Sequence, residues 1–178
     1  MRKALLVILI IVIGAMFVWL LKPWRTENIA PAVTTYQECI EAGGIAHELY
    51  PPQCLYNETF FELDVGNTVE KINEVVIDSP RPHEELTTTF IVQARARGTW
   101  LFEASASIEI IASDGTVLLQ DYIMTSDEWM TTDLVNLSRE FTFDPRGYTT
   151  GVFVFHKANP SGLPENDDSV RFPIRFRK

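Results

Sequence analysis

The chain has 178 residues, enough for one ordinary domain of about 100 to 150 residues with accessories and not for two comfortable ones. Its 24 acidic residues outnumber its 15 basic ones and leave a net charge of −9, so the surface repels phosphate backbones and nucleic acid is not expected as a partner. Hydrophobic residues reach 46%, but many of them crowd into the first 21 positions and leave an ordinary globular composition behind them.

At the amino terminus, Arg2 and Lys3 precede an apolar run from Ala4 to Leu21 that contains neither charge nor proline, and Lys22, Pro23, Trp24 and Arg25 follow it. As a helix that run would rise about 27 Å, close to the roughly 30 Å of hydrocarbon it would have to cross. Residues 1–25 are therefore expected to be an uncleaved transmembrane anchor that meets the lipid bilayer through residues 4–21. A cleavable signal peptide would have a shorter apolar stretch and a small-x-small site, and no such site follows Leu21. A buried core helix is the other alternative, and it fits the flanking charges poorly. Cys39 lies too far downstream to accept a lipid. The basic residues slightly favour a cytoplasmic amino terminus, which gives a single-pass protein of the bacterial cell membrane with an extracytoplasmic carboxy-terminal domain.

Residues 26–35, rich in Pro, Thr, Ala and Asn, read as a linker. Residues 36–73 form a two-cysteine segment and a connector. Cys39 and Cys54, the only cysteines, enclose Gly43-Gly44 and Pro51-Pro52 in a stretch too small for a core of its own. A disulfide closing a loop of about 15 residues stabilises by roughly 3 kcal/mol in the chain-entropy account. The pair lacks the close spacing of zinc or redox motifs, and only His47 is nearby. Asp64 to Asn73 reads as a short connector.

Residues 74–178 carry strand periodicity. Val75 to Ser79 is a short apolar strand stopped by Pro80. Phe90, Val92, Ala94 and Ala96 alternate with Ile91, Gln93, Arg95 and Arg97, a period of two that turns one set inward. Ile108 and Ile110 alternate around Glu109, and Ser113-Asp-Gly-Thr116 supplies a hairpin turn into Val117 to Met124. Further strands are expected at Arg139 to Asp144, Gly151 to His156 and Val170 to Phe176. Pro173 lacks a ladder N–H, which predicts that the last strand lies at a sheet edge. The fold class expected is all-β, a β-sandwich preceded by the transmembrane helix and the short disulfide-closed segment.

The stretch from Val75 to Phe176 resembles the Gmad immunoglobulin-like family, named for bacterial spore germination and found also in envelope proteins of bacteria that do not sporulate. The resemblance is carried by Ile77-Asp-Ser-Pro80, Gly98-Thr-Trp-Leu-Phe-Glu103, Ala112-Ser-Asp-Gly115, Asp127-Glu-Trp-Met130 and Phe141-Thr-Phe143. Gly151-Val-Phe-Val-Phe155, Asn159-Pro-Ser-Gly162 and Val170-Arg-Phe-Pro-Ile174 complete it, and the chain departs from the family pattern at Leu86 to Thr89 and at Ala94 to Arg97. The resemblance implies an immunoglobulin-like extracytoplasmic accessory module with no catalytic residues to carry over.

Chemistry-bearing groups are sparse. His47, His83 and His156 are the available imidazole bases, and no Gly-x-Ser-x-Gly element, P-loop or Gly-x-Gly-x-x-Gly element accompanies them. Glu165, Asp167 and Asp168 are calcium candidates, with Asp114 if the loops converge; a solvated interstrand loop is the plainer reading. Arg95, Arg97, Arg171, Arg175 and Arg177 take outward strand positions and are candidates for a basic strip, although solvent-facing arginines on a half-buried sheet are common. Trp100, Phe102, Trp129 and Met130 read either as an exposed carbohydrate or peptide platform or as core and loop-pinning side chains. No cofactor is expected and no catalytic residue is assigned. The function expected is a non-catalytic, membrane-anchored binding or scaffolding module of the bacterial cell envelope that recognises an envelope protein or cell-wall component. A structural subunit of a sporulation, germination or secretion-type assembly is the alternative, and a cell-wall enzyme using His83 or His156 is a third.

Overall fold

The computed structural model describes residues 32–177, so the expected anchor at residues 4–21 and most of the linker lie outside the described residues. Among the described residues no helix is long and apolar enough to cross a membrane.

The two-cysteine segment opens with one short helix, α1 (Tyr36–Glu41). Its start is set by reciprocal capping: the Thr35 hydroxyl accepts the Glu38 N–H at 3.2 Å, and the Glu38 carboxylate accepts the Thr35 N–H at 3.1 Å. Bonds from Thr34 and Thr35 hold the Glu38 carboxyl below its ordinary pKa. After Gly43 the chain forms a three-stranded antiparallel sheet, β1 (Ile45–His47), β2 (Gln53–Tyr56) and β3 (Thr59–Glu62). The Cys39–Cys54 disulfide fastens α1 to β2, and both cysteines are fully buried. A Cβ on Gly44 would stand 2.5 Å from the Cys39 sulfur and 2.6 Å from that of Cys54, so the turn over the bridge has room only for glycine.

Beyond the connector, eight strands make a sandwich. β4 (Val75–Ser79), β6 (Thr89–Arg97) and β9 (Leu134–Thr142) form one sheet in the order β4-β6-β9. β5 (Glu85–Leu86), β7 (Ser105–Ala112), β8 (Val117–Met124), β10 (Thr150–His156) and β11 (Ser169–Phe176) form the other in the order β5-β11-β10-β7-β8. The expected period of two puts Phe90, Val92, Ala94 and Ala96 of β6 into the core. Facing them are Ile108 and Ile110 of β7, Phe153 and Phe155 of β10, and Val170, Phe172, Ile174 and Phe176 of β11. Phe153 and Phe172 stack at 5.2 Å, and Trp100 lies 6.5 Å from Phe155, within the range where aromatic pairs add to burial. β9 begins five residues before the expected strand because Val135 and Leu137 are buried between exposed Leu134, Asn136 and Ser138; their polar neighbours disguise the alternation.

The first strand divides between the sheets: β4 pairs with β6, the chain bends at a cis Ser79–Pro80 peptide, and β5 then joins β11 in parallel. The last strand is consequently not an open edge, which corrects the expectation drawn from Pro173. The missing N–H of Pro173 does face outward, where His83 donates to its carbonyl at 2.7 Å, and Arg175 and Arg177 donate outward to Glu84 and Leu86. Nearer its start the same edge is covered by the connector, as described below.

At one end of the sandwich, Asp114 of the β7–β8 turn accepts the Tyr148 hydroxyl at 2.6 Å and the Thr116 N–H at 2.9 Å. The bond from Tyr148, followed by those from Thr116, holds the Asp114 carboxyl below its ordinary pKa of 3.8. On β8 the Tyr122 N–H, and after it Arg139 of β9 at 2.8 Å, does the same for Asp121. A carboxyl with a depressed folded pKa stabilises above its unfolded pKa and loses that contribution as pH falls toward the folded value. Thermal melting is therefore expected to weaken with acid below about pH 3.8, and Asp114→Asn should flatten that dependence.

Candidate functional site

The structure scatters most of the residues that the sequence singles out. Asp168 accepts the Lys71 ammonium at 2.7 Å and the Ser169 N–H at 2.9 Å, Asp167 accepts the Asn159 amide at 2.6 Å, and Glu165 is exposed. Among the described residues no group of three or more His, Cys, Asp or Glu is placed to hold a metal. Asp114 cannot assist that loop, because the start of β10 pairs with the end of β7 and the loop after β10 leaves from the opposite end of the sheet. Nor do the arginines form one strip. Arg95 and Arg97 stand on the β4-β6-β9 sheet, whereas Arg171 and Arg175 stand on β11 in the other sheet, so the two pairs belong to separate layers. Arg95 pairs with Asp78 at 3.2 Å, Arg97 donates to the Asn73 and Thr132 carbonyls, and Arg175 donates to the His83 carbonyl.

Trp100 is not part of a surface platform. It is 2% exposed, its indole N–H donates to Glu74 at 3.2 Å, and the Lys71 ammonium lies 6.0 Å from its ring. Trp129 is half-buried against the core, and its carbonyl lies so close to Gly98 that an added Cβ there would stand 2.0 Å away. Met130 is 76% exposed and, with Trp129, borders a shallow depression beside Gly98. His83 bonds through its ring to the Asp64 carbonyl at 2.7 Å, and the His156 ring lies 3.2 Å from the Glu109 carboxylate without the alignment of a hydrogen bond.

One concavity among the described residues is not announced by the sequence. It is an apolar cleft of about 490 Å³ between the two-cysteine segment and the sandwich, which belong to one compact unit. The size is that of small-ligand sites. One wall is Tyr50, Pro52 and Leu63 of the two-cysteine segment, and the connector adds Val65, Thr68 and Ile72. The opposite wall is the outer side of β4, from Val75 to Ile77, and the floor is Val170 and Phe172 of β11. Arg81 and Pro82 close the end where the first strand changes sheets.

What builds the cleft is the connector. Asp64 accepts the Gly66 N–H at 2.8 Å in a tight turn, and Gly66, at φ +61°, lies directly on β11: an added Cβ would stand 1.8 Å from the Arg171 carbonyl oxygen. Asn67 then satisfies the strand edge, its side chain accepting the Arg171 N–H and donating to the Ser169 carbonyl, both at 2.8 Å. Its own N–H donates to the Arg171 carbonyl at 3.2 Å. Further along, Lys71 pairs with Asp168 and Glu74 with Trp100, and Tyr50 and Thr68 share a 2.7 Å hydroxyl contact that joins the two-cysteine segment to the connector.

The cleft presents few polar groups. Its lining contains two hydroxyls, Tyr50 and Thr68, and one cation, Arg81, but no histidine, cysteine or carboxylate side chain. A nucleophile beside a base, the minimum for covalent catalysis, is therefore missing from it. Arg81 makes no ion pair among the described residues; its Nε reaches only the Asp78 carbonyl, at 3.5 Å.

The model of the Gmad2 family, the immunoglobulin-like domain of bacterial spore germination, matches residues 74–162, half of the chain. The chain belongs to the Gmad2 family. The Gmad2 match begins one residue before β4 and ends at Gly162, ahead of β11, which the structure nonetheless pairs with β10 along its length. The two-cysteine segment and the connector, which supply most of the cleft's outer wall, lie outside the Gmad2 match. No curated protein and no solved structure matches the chain.

Proposed function

We propose that this Gmad2 protein is a non-catalytic binding or scaffolding module of the bacterial cell envelope, anchored in the membrane through residues 4–21 with its sandwich outside the cytoplasm. The observation that carries the reading is the apolar cleft, which is bounded by a disulfide-braced segment and has no reactive pair in its lining. A buried disulfide persists in oxidising compartments, which agrees with an extracytoplasmic position. The ligand is an envelope protein or a cell-wall component. A structural place in a germination-type assembly is the second reading, favoured by the description of the Gmad2 family as a domain of bacterial spore germination.

Two measurements test this proposal. Thiol labelling of intact cells should find Cys39 and Cys54 unreactive until a reductant is added. Captured envelope partners should disappear when the cleft is filled by Thr68→Trp. Freely reactive thiols would remove the extracytoplasmic location, and capture that is indifferent to Thr68→Trp would remove the cleft as the binding site.

A further inference from the structure

The structure assigns the cleft a ligand class: an extended peptide, added as a strand to the free edge of β4, with an apolar side chain in the cleft and a carboxylate on Arg81. This rests on the reading of the cleft as the binding site. The argument begins with which way the backbone groups of β4 point. Arg97 donates to the Glu74 carbonyl at 2.9 Å, which fixes Glu74 and Val76 as the residues turned toward β6. In an antiparallel ladder the alternate residues turn the other way. Val75 and Ile77 therefore direct their N–H and C=O groups outward, along the wall of the cleft. The Val75 N–H is taken by the Lys71 carbonyl at 2.9 Å. The Val75 carbonyl and both backbone groups of Ile77 have no protein partner among the described residues.

The opposite treatment of β11 makes this open edge informative. From Ser169 to Arg177, the outward groups of that strand are met by Asn67, His83, Glu84 and Leu86, or removed at Pro173. Exposed strand edges pair promiscuously, and proteins ordinarily cover them. This chain seals one edge of the gap between its sheets and leaves the other open for a short stretch, ended by the β4 bulge between Ile77 and Ser79. An acyl chain would fill the apolar walls but leave the Ile77 groups without partners, whereas a peptide strand satisfies both. Arg81 adds the charge term: it is the only cation of the lining, and its guanidinium makes no ion pair among the described residues because the Glu84 carboxylate takes the Arg81 backbone N–H instead, at 2.7 Å, so a peptide carboxylate is its natural counterpart.

The test is selection of peptides from a display library of random heptamers by the full chain held in phospholipid nanodiscs. Selected peptides are expected to place apolar residues at alternate positions beside an aspartate or glutamate. Methylating the central amide nitrogen of a selected peptide should weaken binding about tenfold, a loss on the scale of one hydrogen bond to a desolvated group. Arg81→Gln, at an exposed position, should weaken it by about the same factor. Ile77→Pro, which removes the outward N–H together with an apolar side chain of the cleft wall, should also weaken it, and Arg81→Gln provides the decisive reading if that variant fails to fold. Binding that is indifferent to amide methylation and to Arg81→Gln would overturn the inference. Octanoate provides the separating arm, followed by the methyl resonances of Ile72 and Val170. If octanoate shifts them and no peptide is selected, the strand inference falls and the binding cleft stands; if neither ligand binds, both fall.

Discussion

Gly66→Ala is expected to cost roughly 4 kcal/mol and to lift the connector off the sandwich. The new Cβ would lie 1.8 Å from the Arg171 carbonyl oxygen and 2.9 Å from the Phe172 Cα, both of them backbone atoms of a strand held along its other side by β10. β11 cannot retreat, so the connector must. Its departure breaks the three hydrogen bonds of Asn67, each worth about 1 kcal/mol, and the left-handed φ of +61° adds about 1 kcal/mol for any residue with a Cβ. Gly115→Ala separates the two contributions, because Gly115 has φ +91° but nothing within 4 Å of an added Cβ; only about 1 kcal/mol should be lost there. Urea denaturation of the two variants beside the parent measures the difference. Equal costs at the two glycines would mean that the connector does not lie on β11.

Removing the disulfide should have the next largest effect, and a differently distributed one. In the chain-entropy account, a bridge that closes a loop of about 15 residues stabilises by roughly 3 kcal/mol. Neither cysteine belongs to the core cluster of the sandwich, and the only helix of the two-cysteine segment buries just Cys39. Cys39→Ala with Cys54→Ala should therefore melt α1 and the β1-β2-β3 sheet while the eight-strand core keeps its own transition. Limited proteolysis should cut first between residues 41 and 59, and near-ultraviolet signals from Trp100 should persist to the parent's melting temperature. A single transition lowered for every probe would show instead that the segment and the sandwich unfold together.

The sandwich was legible because its signal is local. A β-strand with one face buried writes a period of two into the sequence, and the inward set of β6 and β11 is apolar without exception, so strand, face and core residues follow from one pattern. The turn chemistry of Ser113-Asp-Gly-Thr116 located a hairpin whose glycine does adopt a positive φ. β9 was misplaced because its exposed positions include Leu134 and its buried ones alternate with Asn136 and Ser138, which resemble a loop. The three strands between Ile45 and Glu62 are too short to show any period.

The candidate site was far less legible. A cleft is made by residues distant in sequence, and its lining of Val, Ile, Leu, Pro and Phe carries no motif. Asn67 and Arg171 meet across 104 residues. Asp64-Val-Gly66-Asn67 does announce a turn, through the side-chain bond from Asp64 to the Gly66 N–H, but nothing in it says which strand the turn will cover. Of the two readings open for the aromatic set, Trp100 takes the core one, and the sequence left the choice open for the converse reason. Trp100 carries a polar N–H that admits a surface position, and its burial depends on Glu74 being present to accept that group.

Backbone amide exchange in the free protein tests the central claim most directly, by comparing outward amides on the two strands that border the cleft. The connector seals the edge of β11 and the edge of β4 stays open, so the Arg171 amide should exchange slowly and the Ile77 amide quickly. Fast exchange at Arg171, or protection at Ile77 equal to that of the inward-bonded Val76, would contradict it.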